Sequence, residues 1–149
     1  MEKNAGFTMI ELMIVLVILG VIASQLVPSL QRYVVRTRRT EAQAALLMLM
    51  QQQERFFTQN NRYVAFSADA SEPEARPFTW WSGVTAARSA YEIEGKACEG
   101  STLAACIELT ATPGTDRVDP HFRDADCLVL KLSSDGLRTA SGPMTGCWP

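Results

Sequence analysis

The chain has 149 residues, 47% of them hydrophobic and 20% charged, which excludes a disordered polymer and fits one folded domain. Fourteen basic against sixteen acidic side chains leave a formal charge of −2, so no global positive field is available to hold nucleic acid or an anionic membrane. All four cysteines fall after residue 97 and the longest apolar run falls before residue 29, so the two ends of the chain do different work.

Residues 1–6 form a short polar leader, and Phe7-Thr8-Met9-Ile10-Glu11 opens the apolar run. From Leu12 to Ala23 the sequence LMIVLVILGVIA carries no charged side chain, and Glu11 is the single acid between Phe7 and Pro28. As a helix rising about 1.5 Å per residue, positions 7–28 reach roughly 33 Å, close to the ~30 Å core of a bilayer. A signal peptide is the competing reading, but its apolar core should run about 7–15 residues and end in small residues, and Ala23-Ser24-Gln25 supplies only a forced cleavage site.

The segment Gly6-Phe7-Thr8-Met9-Ile10-Glu11 with the apolar run behind it resembles the N-terminus of type IV pilins, shared by major pilins, minor pilins and type II secretion pseudopilins. The resemblance implies cleavage after Gly6 by a membrane prepilin peptidase and methylation of the new amino terminus at Phe7. A lone carboxylate at one end of a membrane helix costs free energy, up to a few kcal/mol at the helix centre and less near the interface. In a helical assembly Glu11 can neutralise the Phe7 amino group of a neighbouring subunit, which sets axial register. Gly20 lowers helix propensity, and Pro28 removes an amide donor and is expected to kink the helix. The resemblance implies that this Gly20 to Pro28 stretch can unwind in a filament.

Beyond Pro28 the helical pattern continues. Ala42, Ala45, Leu46, Leu49, Gln53, Phe56 and Phe57 recur at helical spacing and predict one stripe packed on a sheet. No glycine or proline interrupts residues 29–61, which predicts one continuous helix from about Thr8 to Gln59, roughly 78 Å long, closed by Asn60-Asn61. Arg32, Arg36 and Arg39, joined by Arg38, share one face and are the chain's basic concentration. They are candidate partner or DNA contacts, although arginines at a membrane exit that meet headgroups and acids of neighbouring subunits are the plainer reading. Four arginines outside against Lys3 inside oppose the positive-inside bias; the leader and the cysteines set the opposite orientation.

Residues 62–90 lack periodicity and read as a long connecting loop, in which adjacent Trp80 and Trp81 are expected to point one inward and one outward. Alternation then predicts strands at Tyr91-Glu92-Ile93-Glu94, at Ile107 to Ala111 and at Leu128 to Leu132 with Leu128, Leu130 and Leu132 on one face. Ser134-Asp135-Gly136 is a turn signal, so Leu137 to Ala140 forms a short fourth strand and residues 91–149 make an antiparallel sheet.

Four cysteines in an exported domain imply two disulfides and allow three pairings. The local map, Cys98 with Cys106 and Cys127 with Cys147, is the expected one, because crossed links would join segments that the strand pattern places apart. A metal centre has little support: no CxxC occurs, and the single histidine, His121, is not spaced as a ligand. Asp116, Asp119, Asp124 and Asp126 lack EF-hand spacing and read as a solvated acidic loop.

Three further segments look like PilE-type minor pilins of the type IVa system: Arg39 to Leu47, Gln53 to Tyr63, and Leu109 to Pro113, together with Cys127 and the terminal Gly146-Cys147-Trp148. The segment 91–106, with its extra cysteine pair, and the acidic loop 116–126 depart from that pattern. The expected fold is α+β: a leader at 1–6, a transmembrane assembly half at 7–30, an amphipathic half at 31–61, then loop and sheet. No catalytic constellation, metal or cofactor is indicated. The resemblance implies a minor structural subunit of a type IV pilus serving assembly, twitching or adhesion, stored in the inner membrane with a periplasmic head before joining an extracellular filament. Its implied partners are other major and minor pilins, the prepilin peptidase and methyltransferase, the assembly platform and inner-membrane lipid. A DNA-uptake pilin, with nucleic acid as a partner, and a type II secretion pseudopilin are the alternatives.

Overall fold

The computed structural model describes residues 8–149, apart from the side chains of residues 25–29. The chain falls into two compact units, Met1–Arg36 and Thr37–Pro149, and one helix, α1 (Met9–Asn60), contributes to both. In the first unit Thr8 precedes α1 and its Oγ1 accepts the Glu11 N–H at 3.3 Å. This is the Thr-x-x-Glu start pattern, in which a hydroxyl satisfies one of the orphan N–H groups of the first turn. Gly6 and Phe7 lie outside the described residues. The helix runs unbroken through Pro28.

In the second unit four strands follow the helix: β1 (Tyr91–Ala97), β2 (Ile107–Pro113), β3 (Leu130–Ser133) and β4 (Arg138–Ala140). They pair in chain order as an antiparallel meander. Pairing sets Ile93 opposite Ala111 and Gly95 opposite Leu109, while Leu109 and Ala111 face Leu132 and Leu130. Alternation therefore puts Tyr91, Ile93, Ile107, Leu109, Ala111, Leu130 and Leu132 on one buried face. Ala42, Ala45, Leu46 and Leu49 join them in a single core, as the stripe on the helix predicts.

Gln53 belongs to that stripe for a different reason. Its Nε2 donates to the Val64 carbonyl at 2.8 Å and its Oε1 accepts the Val64 N–H at 3.0 Å, so a fully buried side chain pairs the backbone as a strand would. Gln53→Leu, similar in size, strands both Val64 groups in the core; at about 1–3 kcal/mol for each, the expected loss is about 2–6 kcal/mol. Urea unfolding of the two proteins checks it, and an unchanged midpoint rejects it.

The helix ends where Asn61 turns left-handed (φ 53°), with its N–H on the Phe57 carbonyl at 2.8 Å. The connection through residues 62–90 carries a short 3₁₀ turn, η1 (Ala86–Arg88), and lies along the free edge of β1 through bridges Phe66 to Gly95 and Trp81 to Glu92. Gly95 is required there because a Cβ would run into the Phe66 ring. The opposite edge, β4, is covered by the tail: Trp148 Nε1 donates to the Thr139 carbonyl at 2.8 Å, beneath the Arg138 guanidinium.

Two sequence expectations need correction here. Strand β3 starts at Leu130, not Leu128: the Leu128 N–H closes a turn onto the Asp124 carbonyl at 2.9 Å, its φ is +51° and its side chain is exposed. Trp80 and Trp81 do not alternate in and out; both are half-buried and pack edge to face, with ring centroids 5.0 Å apart. The segment is not a strand of its own, so no pleat separates the two rings.

Candidate functional site

Two features carry the functional reading, one in each unit. In the first, every large apolar side chain from Met9 to Ile22 is exposed, between 47% and 79%, on all faces of the helix. A helix that is apolar all round is stable only when something apolar surrounds it. Glu11 is the acid in its first turn, where the positive end of the helix dipole favours a carboxylate. Gly20 has open space around its Cα. Among the described residues no helix is long and apolar enough to cross a membrane. Arg32 and Arg36 are exposed at the end of this unit.

The second feature is a buried ion pair that ties the helix to the disulfide-closed tail. Arg39 donates from Nε and Nη2 to the two carboxylate oxygens of Asp124 at 2.8 and 2.7 Å, and the pair lies inside the head. The Tyr91 hydroxyl donates to the same carboxylate at 2.5 Å, and the Cys127 N–H donates to it at 3.1 Å. Burial by itself would raise the Asp124 pKa; the hydrogen bonds from Arg39, Tyr91 and Cys127 outweigh it and hold the carboxyl below its usual range. Burial and the adjacent carboxylate push the Tyr91 hydroxyl up, so it stays a donor. One turn along the helix, Gln43 Nε2 donates to the Cys147 carbonyl.

The structure links Cys98 to Cys106 and Cys127 to Cys147, with Cα separations of 5.5 and 5.7 Å. The first closes the tip of the β1–β2 hairpin, and the second joins the Asp124 turn to the tail. Gly142 packs so closely on the Asp126 and Cys127 backbone that no Cβ fits. Its N–H bonds the Cys127 carbonyl at 2.9 Å. Helix, acidic turn and tail are thus one interlocked unit.

Two candidate roles change accordingly. Arg39 is not a surface contact for a partner or DNA, because its guanidinium is consumed by Asp124; the stripe of Arg32, Arg36 and Arg39 loses its third member to the core. Asp124 is not part of a solvated acidic loop, since it is 1% exposed. Neither the i, i+4 periodicity at Arg39 nor the acid count of residues 116–126 distinguishes a buried pair from solvated charges. The signal in the sequence was Arg39 and Gln43, two polar residues flanking Ala42 at the head of an apolar stripe, which calls for buried partners.

The description "Type IV minor pilin ComP, DNA uptake sequence receptor" fits residues 28–131 of the chain, and the prokaryotic N-terminal methylation motif fits residues 1–24. The chain belongs to the type IV pilins, in the ComP minor pilin family. These are structural subunits rather than enzymes, and a pilin is a component of an extracellular filament. The chain is 33% identical over 95 residues to the type IV major pilin PilA of Myxococcus xanthus, covering 64% of the chain and 43% of that protein. It is 34% identical over 86 residues to the type II secretion system core protein G of Klebsiella pneumoniae, covering 52% of the chain and 61% of the relative. The pilin thus spans about half the length of these relatives. Among solved structures it is similar to the non-core minor pilin PilV of Neisseria meningitidis, at 18% identity and a TM-score of 0.48 over 77% of the chain and 94% of PilV. A type IV pilin of Shewanella oneidensis has 24% identity and a TM-score of 0.46 over 77% of the chain and 98% of that pilin.

Proposed function

We propose that this pilin is a minor subunit of a type IV pilus, cut between Gly6 and Phe7, methylated at Phe7, and held in the inner membrane by the apolar half of α1 until the assembly platform moves it into a filament beside other pilins. The observation that carries the reading is the helix surface from Met9 to Ile22, apolar and uncovered on every face within the span of the methylation motif. Covering one such side chain is worth about 1.5–3 kcal/mol. Lipid tails and neighbouring helices cover it about equally well, so transfer from membrane to filament costs little and the polar contacts decide register. Glu11, facing the Phe7 amino group of a neighbour, is the group that supplies such a contact.

Glu11→Ala should therefore leave head folding intact while lowering incorporation into filaments in competition with the unaltered chain. Equal incorporation, scored by quantitative mass spectrometry of purified pili, counts against the pairing. The same spectra read the processing site: a subunit starting at methylated Phe7 is expected, and one starting at Met1 or near Gln25 defeats the whole reading. Deleting the gene should reduce surface filaments and twitching without a secretion defect.

A second reading, as a receptor for DNA during uptake, is favoured by the ComP family description across the head. Charge speaks against it: over residues 37–149 eleven basic side chains stand against fourteen acidic ones. Arg38, Arg62, Lys96, Arg117 and Lys131 are each held by a nearby carboxylate at 2.5–3.0 Å. Salt-sensitive binding of duplex DNA by the full chain, with loss of transformation on deletion, would establish that reading instead.

A further inference from the structure

We propose that the concavity in front of Trp80 and Trp81 is a binding site for a neutral saccharide, a pyranose ring seated on the exposed indole surface. It is an open hollow of about 280 Å³ whose walls include Ser67, Arg76, Thr79 and the two tryptophans. Of the three tryptophans in the chain, Trp148 spends its N–H on the Thr139 carbonyl, while the N–H groups of Trp80 and Trp81 meet no acceptor among the described residues. Indole surface with unspent donors, beside a hydroxyl and a guanidinium, matches a ligand that presents an apolar C–H face and hydroxyl groups around its rim.

The site is rigid before any ligand arrives. The Trp80 carbonyl accepts the Ile93 N–H at 2.7 Å, the Trp81 backbone bridges Glu92, and the Ser82 N–H donates to the Tyr91 carbonyl at 3.1 Å. Phe78, which also lines the hollow, stacks on Phe66 at 5.4 Å and meets Phe56 edge to face at 6.3 Å. The sheet edge thus fixes the backbone of both tryptophans while leaving both residues partly accessible. Preorganised aromatic rings lose little conformational entropy on binding, which makes them efficient contact groups.

Charge selects a neutral ligand over a polyanion. Residues 62–97, the loop that walls the hollow and β1 behind it, carry five acids, Asp69, Glu72, Glu74, Glu92 and Glu94, against four bases, Arg62, Arg76, Arg88 and Lys96. Two of these bases already hold carboxylates, Arg62 on Glu74 and Lys96 on Glu94, and Arg117, from the connection between β2 and β3, holds Asp69. This segment offers a phosphate backbone no net positive charge, and Arg76, the one charged side chain among the residues lining the hollow, is a donor for sugar hydroxyls.

The test uses the full chain in phosphocholine micelles, which avoid sugar-headed detergents, and follows the three indole N–H signals by NMR. Addition of cellotriose, chitotriose or a galactose disaccharide is expected to shift the Trp80 and Trp81 signals and leave Trp148 in place. Trp80→Ala and Trp81→Ala should each weaken binding about tenfold or more, equivalent to about 1.4 kcal/mol. An unmoved Trp148 signal reports that the head is still folded, and Trp80→Phe, which keeps a ring and loses the donor, should weaken binding less. If none of the three sugars moves either indole, the proposal fails. If a short DNA duplex moves the same two signals and the sugars do not, the hollow is a nucleic-acid site and the proposal is overturned. Binding is read on the isolated chain, so the outcome is independent of where the subunit sits in a filament.

Discussion

Asp124→Asn is expected to destabilise the pilin head by about 3–5 kcal/mol, the range for removing one partner of a buried ion pair. Asparagine fills the same space, so the loss comes from leaving the Arg39 guanidinium without its buried anion, with only the solvent-exposed Asp126 carboxylate at 3.5 Å beside it. The double change Arg39→Met with Asp124→Leu removes both charges together and should recover much of that loss, which separates a broken pair from a broken shape. The pH dependence has a definite sign. The folded-state pKa of Asp124 is depressed, so its contribution is present above the unfolded value near 4 and disappears as pH falls through the lower folded value. Urea unfolding at neutral pH and below pH 4 should show the unaltered chain losing this increment in acid while the Asn variant, already lacking it, loses less. Identical acid slopes in the two proteins would falsify the assignment.

Replacing Cys127 and Cys147 together by serine should cost about 2–5 kcal/mol, the usual loss for a native disulfide in a small exported domain. The damage extends beyond chain entropy, because the tail carries other contacts. Gln43 holds the Cys147 carbonyl and Trp148 covers the edge of β4 through Thr139. A released tail uncovers a short strand edge and an exposed tryptophan, which favours self-association. Replacing Cys98 and Cys106 should cost less, since that link closes a shorter loop at a hairpin tip whose strands are already paired. Thermal unfolding of the two double variants, with analytical ultracentrifugation for association, orders them; the reverse order rejects the reading of the tail as the more important closure.

Local chemistry and periodicity made much of this pilin legible in its sequence. The methylation motif and apolar run, the stripe from Ala42 to Leu49, the Asn60-Asn61 stop, the alternation at Tyr91, Ile107 and Leu130, and the turn before β4 all depend on neighbours within a few residues. What tertiary structure decided were pairings across long separations. Arg39 and Asp124 lie 85 positions apart, and nothing in either local pattern distinguishes a buried partner from solvent. Gln53 serves as backbone for Val64 only because the chain turns back after Asn61. Leu128 leaves its strand because the Asp124 turn and the Cys127 link claim that stretch first, and Trp80 and Trp81 share one surface because the edge of β1, not an internal pleat, sets their backbone. Charge and hydrogen-bond partners are properties of position in space, whereas helix, strand and turn signals are properties of the chain.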